Sequence, residues 1–255
     1  MKISIITAVR NAAGTVESAL RSVQQQTYRD YEHIVVDGLS TDGTLDVVRR
    51  HSAALAHLVS ERDSGIYDAF NKGLRLATGD VVAFLNADDY YAGPDVLQWV
   101  HEAFRRGNPG AVFGDVAFVR PEDPGKVVRH YSSATFTPRR LRYGWMPAHP
   151  SLFLRRSLFE KYGAFDTSYR IAGDFELAAR LFGRGQVDFA YVPRVFVTMR
   201  TGGASTRGIR STMIINREIL RACRQNDIAT NMAMLCLRFP EKAMELIRRP
   251  ARLRV

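Results

Sequence analysis

Cysteine is nearly missing from this chain: Cys223 and Cys236 are its only two thiols in 255 residues. With no CxxC pair they form neither a zinc site nor a disulfide framework, so a reducing compartment is expected. No apolar run reaches the roughly 18 residues that a membrane-crossing helix needs. The N-terminal stretch MKISIITAVRNAAG has neither the long apolar segment nor the small-residue cleavage site of a signal peptide. Internal repeats and low-complexity segments are also missing. These absences predict a cytoplasmic protein, or one lying peripherally on the inner face of the cell membrane.

What remains is an ordinary globular composition, with 46% hydrophobic and 24% charged residues. The length fits one large α/β domain, alone or with a small appendage, and can bury a core without staples. The net charge of +10 is unevenly placed. Residues 200–255 hold 12 Lys+Arg against 4 Asp+Glu, whereas residues 1–199 hold 24 against 22. The basic segment mixes apolar residues with arginine. That suits an anionic membrane surface at least as well as a nucleic acid, and no nucleic-acid partner is expected.

Hydrophobic periodicity gives the coarse architecture. Residues 2–8, 32–37, 57–60 and 80–85 read as strands; 15–26, 43–53 and 66–77 read as helices between them. A βαβαβαβ order predicts a doubly wound, mostly parallel sheet flanked by helices. Ligands bind such sheets outside the carboxyl ends of the strands, where Asp37 and Asn86–Asp89 fall. Further along, 94–105 reads as a helix, 111–120 as a strand, 121–126 as a turn and 127–131 as another strand. Residues 132–148 read as an irregular loop over the site. A strand at 151–155, helices at 156–162 and 174–183, one or two strands within 187–199, and a helix at 211–224 complete the pattern before a C-terminal helical tail.

Four constellations carry chemistry. Asn86-Ala87-Asp88-Asp89 follows the apolar strand VVAFL, which places adjacent carboxylates at a cleft edge. Mg²⁺ or Mn²⁺ prefers such oxygen ligands and keeps phosphates and water in its shell. The competing reading is a turn with helix-capping aspartates. Asp37, ahead of the turn GLSTDGT, is read as a nucleotide ligand, and Asp42 as a helix cap. In ERDSGIYDAFNKG, Asp63 and Lys72 either contact base and phosphates or belong to a solvated face. In GDFEL, Asp174 is either a general base for an acceptor hydroxyl or a helix cap, with Glu176 favoured by the helix dipole. His149 and the turn after Arg200 are further candidates, although a lone histidine is more often structural.

The ordered set ITAVRNA, VVDGLSTDGT, ERDSGIYDAFNKG, ATGDVVAFLNADD, HPSLFLRRSLFEKYGAFD, AGDFEL and TGGAS resembles the family 2 glycosyltransferases of the GT-A fold. It is closest to the bacterial branch that builds polysaccharides and glycolipids. The resemblance covers about residues 1–205, which implies a catalytic domain there. Within it, residues 1–120 would form the nucleotide-sugar-binding half and 121–205 the acceptor and catalytic half. It further implies an inverting single displacement from a nucleotide-diphosphate sugar, with UDP-sugars favoured, to a hydroxyl of a glycan or lipid-linked acceptor. Thr7, Ala8, Arg10 and Asn11, with Asp37, would cradle the nucleoside, and Asp63 and Lys72 would lie near the nucleotide. The metal motif falls on Asn86, Ala87, Asp88 and Asp89; asparagine at its first position leaves Asp88 and Asp89 to hold Mg²⁺ or Mn²⁺. The family's acidic pair falls on Gly173-Asp174, making Asp174 the base. His149 and Arg200 match positions near the diphosphate or acceptor.

Residues 206–255 are expected to form a basic amphipathic helical tail, lying either on an anionic leaflet or against the catalytic domain or another subunit. Two rival functions are a sugar nucleotidyltransferase and a non-catalytic binding protein of the same fold. The first should carry a Gly-rich basic phosphate loop after its first strand, and TAVRNAAGT matches that poorly. Asp88, Asp89 and Asp174 argue against the second.

Overall fold

β1 (Ile3–Val9) is buried at every position, as a strand covered on both faces must be. The computed structural model describes residues 1–202 and 209–238. The chain continues through α1 (Val16–Gln24), β2 (Tyr31–Asp37), α2 (Thr44–Arg50), β3 (His57–Ser60), α3 (Ile66–Leu76) and β4 (Val81–Phe84). Then come β5 (Tyr90–Tyr91), α4 (Val96–Gly107), β6 (Ala111–Arg120), β7 (Asp123–Tyr131), β8 (Leu152–Arg155), α5 (Arg156–Tyr162), α6 (Gly173–Ala178) and β9 (Phe189–Arg200). α7 (Ile209–Gln225) and α8 (Met232–Cys236) follow.

The sheet runs β3-β2-β1-β4-β8-β6-β9-β5, with β7 added to β6. β1, β2, β3 and β4 are mutually parallel, as the alternating pattern requires. β8 then enters antiparallel between β4 and β6, and β9 runs parallel to β6. β1 leads to β2 on one side, while β4 returns to its other side. The carboxyl ends of β1 and β4 therefore flank a topological switch point.

Helices cover both faces. On one, Ala19 and Val23 of α1 pack with Val96, Leu97, Val100 and Phe104 of α4. On the other, Tyr67 and Phe70 of α3 join Phe175 of α6 and Ile219 of α7. At the amino edge, remote from the switch point, Glu32 is buried. It accepts from Ser4 Oγ at 2.6 Å and Thr78 N at 2.6 Å and pairs with Lys2 at 2.6 Å. Burial pushes that carboxyl up, but these partners outweigh it and hold it at about 2.

Several elements depart from the sequence reading. The expected turn at 121–126 is confined to residues 121–122, and β7 begins at Asp123. Pro124 is tolerated there because β7 pairs with a single neighbour, at an edge where a missing N–H costs little. The loop at 132–148 contains a 3₁₀ run, Pro138–Tyr143. The helix expected at 174–183 is α6 followed by a π-helical turn, Ala179–Arg184. β5, unforeseen, pairs Tyr90 and Tyr91 with Thr198 and Val197.

The first part of the C-terminal tail packs on the catalytic body. Leu235 is fully buried in the core, and the buried Arg238 donates to Asn216 Oδ1. The rest of the expected tail, 206–208 and 239–255, and the Gly203-Ala204-Ser205 part of the turn lie outside the described residues. Among the described residues no helix is long and apolar enough to cross a membrane.

Candidate active site

Strand register aligns the site. Val9 pairs with Asp37, Asp37 with Ser60, and Ile6 with Phe84. The segments that follow these strands therefore share one edge. Asp37 is fully buried; its carboxylate accepts from Ser40 N at 3.2 Å and from Ser60 Oγ at 2.7 Å. Asp63 lies against the next residue: a Cβ on Gly38 would fall 2.1 Å from Asp63 Oδ2 and 3.4 Å from Arg10 Cδ. Only glycine leaves room for that carboxylate. Arg10, Gly38, Leu39, Arg62 and Asp63 line an open cleft. Leu39 is held at φ 56° with 49% of its surface exposed. Strain of this kind clusters at ligand clamps.

Other nucleoside candidates shape the cleft from behind. Asn11 Oδ1 accepts from Thr41 N at 2.8 Å, and Asn11 N donates to Ser40 Oγ at 2.9 Å. Asp42 accepts from Ala13 N and Thr44 N, each at 3.1 Å, just ahead of α2. The 10–13 and 40–44 turns are thereby sewn together. Lys72 donates to Arg62 O at 2.5 Å and pairs with Glu61 at 3.0 Å, which holds the 61–68 segment. Ala8 is buried in β1.

Thr7 is fully buried, its hydroxyl 3.0 Å from Nε2 of His33, whose imidazole burial pushes down to about 3. This side chain belongs to the core. Thr7→Val is expected to cost about 1–2 kcal/mol, the penalty for stranding a buried partner. UDP affinity should stay within about twofold. A melt and a UDP titration read the two; weakened UDP binding with an unchanged melt would return Thr7 to the site.

Beyond β4 the chain turns sharply. Asp89 N donates to Asn86 O at 3.1 Å, and Asn86 Nδ2 donates to Asp89 Oδ2 at 3.0 Å. Asp89 is 1% exposed, whereas Asp88 is half-buried. Burial pushes the Asp89 carboxyl up, reinforced by Asp88 and opposed by Asn86 and Arg200. Arg200, at the end of β9, donates to Asp88 O at 2.7 Å and Ser18 Oγ at 2.8 Å. Asn86 Oδ1 and Asp89 Oδ1 are buried with no hydrogen-bond partner. Among the described residues no three His, Cys, Asp or Glu side chains gather as a metal cage. One accessible carboxylate backed by orphaned oxygens does fit a hard divalent cation whose shell is completed by phosphate and water.

Asp174 is the second residue of α6. Its Oδ1 accepts from Phe175 N at 2.8 Å and lies 3.5 Å from the Tyr67 hydroxyl. Burial pushes this carboxyl up, partly offset by His149 and these bonds. His149 stacks on Phe84 at 5.8 Å and touches Phe70 and Phe165. Burial pushes its imidazole down, against the pull of Asp174, and neither buried ring nitrogen has a hydrogen-bond partner. His149 thus packs on the last residue of β4 and feels the charge of Asp174 at the start of α6. The model named Glycosyl transferase family 2 matches residues 4–163.

The chain belongs to that family. The glycosyltransferase is 32% identical over 222 residues to a PGL/p-HBAD biosynthesis glycosyltransferase of Mycobacterium tuberculosis, across 86% of this chain and 82% of the relative. Its fold is similar to that of Staphylococcus aureus TarS 1–349 in complex with UDP-GlcNAc, with TM-score 0.72, 17% identity and coverage of 92% of this chain and 70% of TarS 1–349. It is also similar to the mannosyltransferase PcManGT of Pyrobaculum calidifontis in complex with GDP-Man and Mn²⁺. There the TM-score is 0.60 and the identity 21%, over 96% of this chain and 81% of that one. At these identities the likeness establishes the GT-A fold.

Gly173, the other position of the expected acidic pair, has no room for a side chain. A Cβ there would lie 2.7–2.9 Å from the Tyr67 ring. Tyr67 is the residue that sequence reasoning missed. The available signal was a tyrosine on the buried stripe of α3, since a buried phenol needs a polar partner. Glu176 is structural, held by Arg180 at 2.7 Å.

Proposed function

We propose that this glycosyltransferase transfers a sugar with inversion, from a nucleotide-diphosphate sugar to a hydroxyl of a glycan or lipid-linked acceptor. The observation that carries this reading is a set of buried polar atoms without hydrogen-bond partners at the expected site positions: Asn86 Oδ1, Asp89 Oδ1 and both nitrogens of His149. Folded proteins rarely strand so many buried polar atoms without a ligand to satisfy them.

The cleft of Arg10, Gly38, Leu39, Arg62 and Asp63 takes the nucleoside. UDP is the favoured nucleotide, supported by the UDP-GlcNAc complex of the TarS neighbour. Asp174 removes the proton from the acceptor hydroxyl as its oxygen bonds to the anomeric carbon and the bond to the diphosphate breaks. His149 offers one donor and one acceptor beside that hydroxyl. Asp88 would hold Mg²⁺ or Mn²⁺, with Asn86 and Asp89 behind it, and the cation would neutralise charge on the leaving diphosphate. The Mn²⁺ of the PcManGT neighbour supports this. A lipid-linked acceptor accords with the relative named for PGL/p-HBAD biosynthesis, and the basic tail would keep the enzyme at an anionic leaflet.

A donor screen tests the reading. The protein is incubated with Mn²⁺ and single nucleotide-sugars, with and without extracted lipid acceptors, and nucleotide release is followed. One donor class should give acceptor-stimulated release that EDTA abolishes. Release of pyrophosphate from UTP and a sugar phosphate would instead identify a nucleotidyltransferase.

A further inference from the structure

Behind Asp174 the chain is held by a side chain outside the reacting space. Glu218 projects from α7 onto the strap that leads into α6. Its Oε1 accepts from Arg170 N at 2.8 Å; its Oε2 accepts from Ile171 N at 2.9 Å and Ala172 N at 2.7 Å. Three successive backbone N–H groups thus converge on one carboxylate, a filled anion nest with charge-assisted bonds. Ala172 is the residue from which α6 springs, and Asp174 stands two residues on.

The strap is also held from the other side. The Tyr67 hydroxyl donates to Ile171 O at 2.5 Å. Ile171 is therefore fixed through its N–H by α7 and through its carbonyl by α3. Two more residues of α7 extend the clamp. Arg221 donates to Ser168 Oγ at 2.7 Å and lies 4.3 Å from the centre of the Tyr169 ring. Gln225 accepts from the Tyr169 hydroxyl at 2.5 Å. Glu218, Arg221 and Gln225 share one face of the helix at spacings of three and four. α6 spans only six residues before the π-helical turn. A helix so short takes its direction from its entry strap.

We propose that Glu218 is a positioning residue that fixes strap 170–172 and, through it, the placement of the Asp174 carboxylate for proton removal. This rests on the reading of Asp174 as the base. Glutamine at 218 keeps one acceptor oxygen and turns an NH₂ toward backbone N–H groups, so it loses at least one of the three bonds along with the charge. Alanine loses all three. None of the bonds of Glu218, Arg221 and Gln225 given above reaches a residue lining the nucleoside cleft.

The test uses full-length Glu218→Gln and Glu218→Ala. Amide exchange over 168–174 is measured, with UDP titrated in the presence of Mn²⁺. Turnover is followed against pH with the UDP-sugar and acceptor that the donor screen selects. In both variants the 170–172 amides should exchange faster, by about tenfold in Glu218→Ala. UDP affinity should stay within about twofold. kcat should fall between about tenfold and a hundredfold with donor KM little changed, the cost of a misplaced base. Wild-type kcat in Glu218→Ala, or a fall in kcat matched by equal losses of UDP affinity and melting temperature, overturns the positioning role. Asp174→Asn separates the two failures. If Asp174→Asn turns over like wild type, the base reading fails and the proposal with it. If Asp174→Asn is inactive while Glu218→Ala is not, only the positioning role fails.

Discussion

Asp174→Asn is expected to lower sugar transfer on the order of a thousandfold, within the range of a lost general base. UDP should still bind to within about twofold. The substitution removes basicity and little else. An asparagine Oδ1 still accepts from Phe175 N, and the ring of Tyr67 still packs on Gly173. Among the described residues no bond joins Asp174 to the cleft of Arg10, Leu39 and Asp63. The pH profile gives a second reading. Burial raises the Asp174 carboxyl above its ordinary 3.8. Transfer needs the ionised form, so kcat should be full above the raised value and fall as pH drops through it. That acid limb should vanish from whatever turnover Asp174→Asn retains. Wild-type turnover in this variant, or an acid limb that persists in it, rules out the assignment.

Most of what places the site was legible in the sequence because it lies in local signals. β1, β2 and β4 are apolar, largely β-branched runs that are buried almost throughout, and a run such as ISIITAV has few other uses; β3, at the sheet edge, is only partly buried. Asp37 and Asn86–Asp89 were legible as strand-end residues because a polar group ending an apolar strand must emerge at an edge. What escaped was long-range. Thr7 read as part of a nucleoside turn, but its hydroxyl found His33 on the adjacent strand. Lys72 read either as a contact to base and phosphates or as part of a solvated face, and its ammonium bonds within the 61–68 segment. No periodicity announces either pairing. Glu218 lies on a helix that reads as an ordinary basic amphipath, and its three backbone partners lie 46–48 residues earlier. The family match itself ends at Gly163, short of both Asp174 and Glu218. The antiparallel insertion of β8 was hidden for a related reason: a four-residue apolar strand carries no mark of its direction.

Asp88→Ala is expected to cut Mn²⁺-dependent UDP affinity by about two orders of magnitude, whereas Asp89→Asn should leave it within about threefold. The two carboxylates are adjacent in sequence and were read together as metal ligands, and the turn buries them unequally. Asp88 is half-buried, and its backbone carbonyl is pinned by Arg200. Asp89 is turned inward and accepts from Asn86 Nδ2, closing the turn from within. Asparagine at 89 has the same shape and keeps an oxygen for that bond, so the turn and its presentation of Asp88 survive. Alanine at 89 should behave otherwise: it strands Asn86 Nδ2 in a buried place and should cost about 1–3 kcal/mol of stability. UDP titrations with Mn²⁺ and with EDTA, alongside a thermal melt of each variant, distinguish the cases. Equal loss of Mn²⁺-dependent binding in Asp88→Ala and Asp89→Asn would make Asp89 a direct ligand. Loss in Asp88→Ala that is the same with EDTA would mean that Asp88 acts on the nucleotide without a cation.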